Sequence, residues 1–412
     1  MFRITCLLLL LFYILILASC GILGFSTPTI TLWTNQIQII AYIEEFNAQY
    51  PHYKVEILYV QSPQERLLSA NDKPDLILAD FLSSPSYIAL FEPLDTILNE
   101  QNINIKNIYK DLLHLGVYGS QHVLLPFSFD LPAIVYRKES EEQDISNFTI
   151  SLNLLKEKSK DFNIVQEGKL NALGFSPLWN SDFLFSAMSL LGTDFKADAE
   201  AILIWNETAL ANSIDFLRSW FEQAAYGYKR EREFTKKYIY EPMYKLIQDK
   251  RFGYYRISFF LTSASEFFKI PKQKRENLDF RWLCSENKIP VNNNILYFGI
   301  PKGAKNIEGG YEFLKWIFNP HTQEKYLEIS SSTNLNIFGI SRGFSSLISV
   351  NEQNIPQYFP ILLGRIPTED FFLFPNPLPD NWQILKKEVI WEWFLEVFSS
   401  IDEAPLLKER LK

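Results

Sequence analysis

Four histidines and three cysteines set narrow limits on the chemistry this chain can carry. His52, His114, His122 and His321 are scattered, with no His-Glu-x-x-His helix to pair two of them. Cys6, Cys20 and Cys284 show no metal-ligand spacing, so a zinc site lacks ligands and none is expected. There is no Gly-x-x-x-x-Gly-Lys-Ser/Thr loop to cradle nucleotide phosphates, no Gly-x-Gly-x-x-Gly and no Gly-x-Ser-x-Gly elbow. No cofactor is implied. Cys284 follows Trp282 and Leu283 in an apolar stretch without a basic neighbour, which predicts a buried thiol and not a nucleophile. Two carboxylates, Asp80 and Asp130, end or interrupt apolar runs. Such a pair would suit glycoside hydrolysis, where the spatial separation of the two groups decides the matter.

The elements that must position these groups begin after an N-terminal stretch of different character. Met1-Phe2-Arg3 precedes an uncharged apolar run, Ile4 to Phe25, that fits a secretory signal or a membrane-spanning anchor. Leu17-Ala18-Ser19-Cys20 resembles the bacterial lipobox, in which the cysteine receives diacylglycerol after cleavage before it. The expectation is a signal peptide over 1–19, lipidation at Cys20, and an anchor segment over 20–27. The mature chain then retains one free thiol, Cys284, and forms no internal disulfide. Stability must come from its core, which 412 residues with 47% apolar composition allow.

Strands and helices then alternate. Thr29–Trp33 reads as a β-branched strand, residues 36–50 as a helix with Ile40, Ile43, Phe46 and Tyr50 on its inner face, and Val55, Ile57 and Tyr59 as a second strand. Pro74 to Asp80 is a continuous apolar run, the pattern of a strand covered on both faces. Residues 121–137 read as two extended segments crossing into another lobe. Asn206 caps a helix with the stripe Leu210, Ile214, Leu217, Phe221 and Ala224. Further strands are expected from Phe252 to Leu261 and from Ile295 to Ile300, and helices over 310–319, after Pro320, over 384–398 and from Asp402. The β-α-β order predicts an α/β fold with a right-handed parallel sheet.

Charge narrows the partners. Lys and Arg number 40 against 48 Asp and Glu, a net charge of −8. That excludes a binder of nucleic-acid phosphates, which needs an excess of cations to displace counterions. The basic run Lys229-Arg230-Glu231-Arg232 is broken by an acid and reads as a solvated helix face.

Taken in order, the signal with its lipobox, T-I-T-L-W-T-N (29–35), K-V-E-I-L-Y-V (54–60) and K-P-D-L-I-L-A-D (73–80) resemble the start of an extracellular solute-binding lipoprotein. The similar branch is maltose-binding-protein-like and serves ATP-driven (ABC) importers. L-L-P-F-S-F-D-L-P-A-I-V-Y-R-K (124–138) resembles that family's crossover, and residues 303–315 its helix start. Asn292-Asn293-Asn294 stands where glycine pairs are usual, and Arg137 replaces the usual asparagine.

The resemblance implies two α/β lobes with a ligand cleft between them and strands crossing the hinge more than once. Lobe 1 is expected over 28–127 plus 285–332, and a helix-rich lobe 2 over 128–284 plus 333–412. Ligands of open α/β sheets bind beyond the carboxyl ends of the strands. That places Trp33, Asn35, Asp80, Phe81, Ser128 and Asp130 at the cleft, with Trp179, Tyr255 and Trp382 opposite. Aromatic faces and carboxylates together suit a sugar or oligosaccharide. Trp316, Trp391 and Trp393 sit on helices and are expected to pack. The implied partners are a small solute, the transmembrane subunits of an ABC permease, and a membrane reached through the lipid, with the protein exported and monomeric. Two alternatives stay open: a lipoprotein of this fold acting in sensing or host interaction, and a glycosidase.

Overall fold

The computed structural model describes residues 27–140, 148–224, 226–251, 253–332, 337–399 and 406–411. The signal segment, the lipidation site Cys20, Phe252 and Asp402 lie outside them. Thr29–Thr34 forms β1, Lys54–Tyr59 β2, Leu76–Ala79 β3, Leu124–Phe129 β4, Pro132–Arg137 β5 and Thr149–Ser151 β6. Phe259–Ser263 forms β7, Leu278–Cys284 β8, Leu296–Gly299 β9 and Phe344–Ser345 β10.

The first sheet runs β10-β4-β9-β3-β1-β2, with β1 parallel to both β2 and β3 and with β9 antiparallel to β3 and β4. β3 and β4 are buried along their whole length, as unbroken apolar runs require. β2 is an edge strand: Val55 is buried, but Tyr59 at its end is 64% exposed. The second sheet runs β7-β5-β8-β6, with β5 antiparallel to β7 and β8. These are the two lobes of the expected α/β fold.

The helix expected over 36–50 is α1 (Ile40–Gln49), preceded by a 3-10 turn over Ile37–Ile39. A 3-10 turn advances further per residue than an α-helix and rotates the stripe. The inner face is therefore Ile39, Tyr42, Ile43 and Phe46, and Ile40 is 41% exposed. α2 (Ala264–Lys269) follows β7, and α3 (Ile307–Ile317) follows β9 and buries Phe313, Leu314 and Ile317 as expected.

The chain changes lobes three times. β4 passes to β5 through Asp130 and Leu131, β8 passes to β9 through Ile289–Asn294, and a third passage runs through Phe372–Leu378. Ser128 and Phe129 end β4 in the first sheet, where Phe344 and Ser345 pair with them. Residues 128–129 and 344–345 therefore belong to the first sheet. The sequence offers no signal for this, because β10 is two residues long and its pairing is non-local.

Asp75, directly before β3, ties the first lobe together. Its buried carboxylate accepts hydrogen bonds from Thr31 N (2.8 Å) and Oγ1 (2.9 Å) on β1, and from Lys305 N (3.0 Å) and Asn306 N (2.7 Å) at the start of α3. Removing the acceptor orphans four donors that water reaches poorly. Asp75→Ala is expected to lower stability by about 1–3 kcal/mol or more. Urea unfolding should show a lower midpoint with an unchanged slope.

Candidate ligand-binding site

The carboxyl ends of the first sheet face the second lobe across a cleft of about 630 Å³. That volume falls in the range of roughly 300–1,000 Å³ usual for small-molecule sites. Each crossover contributes to its floor: Ser128, Phe129 and Asp130 from the first, Pro290 to Asn294 from the second, and Leu373 to Asn376 from the third. The crossovers are bonded to one another. Asn292 N donates to Asp130 O at 2.9 Å, Val291 N donates to Leu373 O at 2.9 Å, and Ile289–Pro290 pairs in parallel with Phe372–Leu373.

The aromatic wall belongs to the second lobe. Trp382 is 1% exposed and meets Phe185 edge-on, with ring centroids 5.4 Å apart. Phe195 and Leu378 extend this wall, and Phe374 of the third crossover, packed on Phe129 and Phe372, meets it at the floor. Asp182, Asp194, Glu266, Arg342 and Lys386 add charge around it.

Of the residues expected at the cleft, Asp80, Ser128, Asp130 and Trp382 line it together. Phe81 lies beside it: its ring packs among the second lobe's buried residues, and it lines a small neighbouring cavity with Asn293 and Leu378. Its φ of 56° is unusual for a bulky side chain and marks local strain beside Asp80. Asn35 is turned aside, donating to Gln61 O and accepting from Gln36 Nε2, and its neighbour Gln36 takes the place on the wall.

Trp33, Trp179 and Tyr255 stand away from the cleft. Trp33 is 6% exposed in the first lobe, with the Arg66 guanidinium 4.5 Å from its ring. Trp179 Nε1 donates to Thr235 Oγ1, which in turn donates to the buried Glu231, and its ring packs against Phe175. Tyr255 donates to Glu139, and Arg137 lies 3.8 Å from its ring. Arg137 itself donates to Ile247 O and Ile257 O, which gives the unexpected arginine a structural role. In each case an amphipathic ring found its polar partner within one lobe.

Sequence reasoning missed Phe185, Phe374, Ser341, Arg342 and Lys386. One signal was present: three consecutive asparagines between Val291 and Ile295, where glycine pairs are usual in the resembled family, put polar side chains on the cleft.

The two carboxylates differ in how they are held. Asp130 is 3% exposed and accepts from Leu131 N (2.9 Å), Ser265 N (3.3 Å) and Ser265 Oγ (2.6 Å). Desolvation outweighs these hydrogen bonds and raises its pKa from 3.8 to about 6. Asp80 is likewise raised to about 6 by desolvation, with only its own backbone N–H opposing. Among the described residues no three His, Cys, Asp or Glu side chains converge to hold a metal ion.

The Asp130 shift sets a pH dependence. Folded Asp130 holds its proton more tightly than the unfolded chain does. Its contribution to stability is therefore full below pH about 4 and is lost as the pH rises through about 6. Asp130→Asn should flatten this fall. Denaturant unfolding from pH 4 to 7 should show the wild type losing about 2 kcal/mol more than the variant over that interval.

The family model for bacterial extracellular solute-binding proteins matches residues 33–324. Solved structures share the two-lobed fold at low identity. The mannotriose-bound CpMnBP1 is 14% identical with a TM-score of 0.65, covering 93% of this chain and 99% of its own. The sugar-binding protein MalE from Xanthomonas citri is 13% identical with a TM-score of 0.64, covering 93% and 94%. The Listeria monocytogenes ABC substrate-binding protein Lmo0181, in complex with cycloalternan, is 10% identical with a TM-score of 0.63, covering 94% and 96%. No curated protein matches the chain by sequence.

Proposed function

The chain belongs to the family of bacterial extracellular solute-binding proteins, and we propose that it captures a sugar or oligosaccharide between its lobes and presents it to an ABC permease. The observation that carries this reading is the composition of the cleft. A buried indole and phenyl wall faces hydroxyl, amide and carboxylate groups on the strand ends, which is the mixture a sugar needs. Similar structures bound to mannotriose and to cycloalternan support the class of ligand. The ligand-contacting residues in this reading are Asp80, Ser128, Asn292 to Asn294, Phe185 and Trp382.

Capture depends on closure. A ligand that touches both lobes favours the form in which both touches are made. The three bonded crossovers act as the hinge for that movement. The lipobox reading completes the proposal: Cys20 carries diacylglycerol and holds the protein on the outer side of a cell membrane. No helix among the described residues is long and apolar enough to cross a membrane, which leaves attachment to the N-terminal segment.

Two measurements test this. A saccharide at 100 times its dissociation constant should add about 2.7 kcal/mol of stability in a thermal-shift screen. Small-angle scattering on the same mixture should show a smaller radius of gyration. A tight saccharide that leaves the scattering curve unchanged would rule out closure, and amino acids binding in place of saccharides would rule out the sugar reading. For the anchor, Cys20→Ser should release the protein from the membrane fraction or leave it as an uncleaved precursor. Unchanged maturation with continued dependence on detergent would favour a spanning segment.

A further inference from the structure

The charges of the cleft do not balance. Asp80, Asp130, Asp182, Asp194 and Glu266 line it, against two cations, Arg342 and Lys386. Both cations are already committed. Arg342 Nη2 lies 2.9 Å from Glu266 Oε1, and Lys386 is paired with Asp182. Asp194 takes Lys196 at 2.9 Å and a hydrogen bond from Asn376. Asp130 is occupied by Leu131 and Ser265. Asp80 is the exception: among the described residues no other side chain or backbone group donates to it and no Lys, Arg or His forms an ion pair with it.

Two further polar groups of the same cleft are unmatched and deeply buried. Ser341 is 2% exposed and Trp382 1% exposed, and among the described residues neither the Ser341 hydroxyl nor Trp382 Nε1 has a partner. Ser341 and Arg342 sit in a turn with φ of 47° and 67°, a costly conformation that holds this hydroxyl at the wall. The site therefore offers an unpaired carboxylate, two unmatched polar groups and an aromatic wall, and it offers no free cation.

We propose that the saccharide taken by this cleft carries a protonated amino group, which seats against Asp80 while its ring lies along the aromatic wall where Phe195 and Phe374 are half-buried. This rests on the sugar-binding reading given above. An ammonium donates charge-assisted hydrogen bonds to a carboxylate, stronger than those of a neutral hydroxyl. A uronic acid or sugar phosphate meets like charge with no cation released to receive it, so the same arrangement rejects anionic sugars.

The test uses the full chain in mild detergent and titration calorimetry. Glucose, galactose and mannose, and their α- and β-linked disaccharides, are compared with a hydroxyl, an acetamido or a free amino group at C2. The amino form should bind about tenfold or more tightly than its matched counterparts, the size of effect that about 1.4 kcal/mol produces. Asp80→Asn should abolish that preference, Asp80→Glu should retain most of it, and melting curves of both variants should confirm that they fold. Equal or tighter binding of the hydroxyl or acetamido forms would overturn the proposal and leave the sugar reading intact. Binding by no member of the panel would overturn the sugar reading, and the proposal with it.

Discussion

Three extended segments change lobes side by side, and the hydrogen bonds among them constrain everything else. Asn292 N to Asp130 O joins the first crossover to the second, and Val291 N to Leu373 O joins the second to the third. Buried backbone groups must find partners, and here they find them in one another. The result is a short ladder at the floor of the cleft that holds strand ends from the first sheet opposite the aromatic wall of the second lobe. Behind it lies a packed aromatic cluster, with Phe129 within 5.3–6.1 Å of Tyr109, Phe344, Phe372 and Phe374. Phe268 stacks on Phe338 at 4.5 Å and extends that packing to the second lobe.

Buried carboxylates serve two purposes in this structure. Asp75 accepts four hydrogen bonds and joins a strand to a helix start, so its role is structural. Asp130 joins the first crossover to the start of α2 through Ser265, and thereby sets where β5 and α2 begin relative to the cleft. Asp80 receives no such support. A carboxylate left without a partner at a cleft wall lowers stability in the empty protein, and that cost is recovered when a ligand supplies the missing donors. Backbone strain collects nearby: Phe81, Asp194, Ser341 and Arg342 all have positive φ, and each lines the cleft or the small cavity beside it. Such conformations persist where the surrounding structure holds them, which is common at ligand sites.

The amino-acid sequence by itself determined the alternation of strands and helices, the buried character of β3 and β4, and the α/β class. Those properties follow from local periodicity and from unbroken apolar runs, so they can be read in a single chain. It also pointed to the ends of β3 and β4, because a carboxylate or serine that closes an apolar strand must emerge at the sheet's edge. Asp80, Ser128 and Asp130 were singled out in that way, and all three line the cleft. Only the tertiary structure decided which aromatic rings line the cleft. Trp179, Tyr255 and Trp382 look alike in sequence, yet Trp179 found Thr235, Tyr255 found Glu139, and only Trp382 remained at the wall without a partner. Where each ring ends up depends on residues distant in sequence that only folding brings near. The charge balance of the cleft was hidden for the same reason: Arg342 and Glu266 are 76 residues apart, and so are unrelated until the hinge places them 2.9 Å from each other.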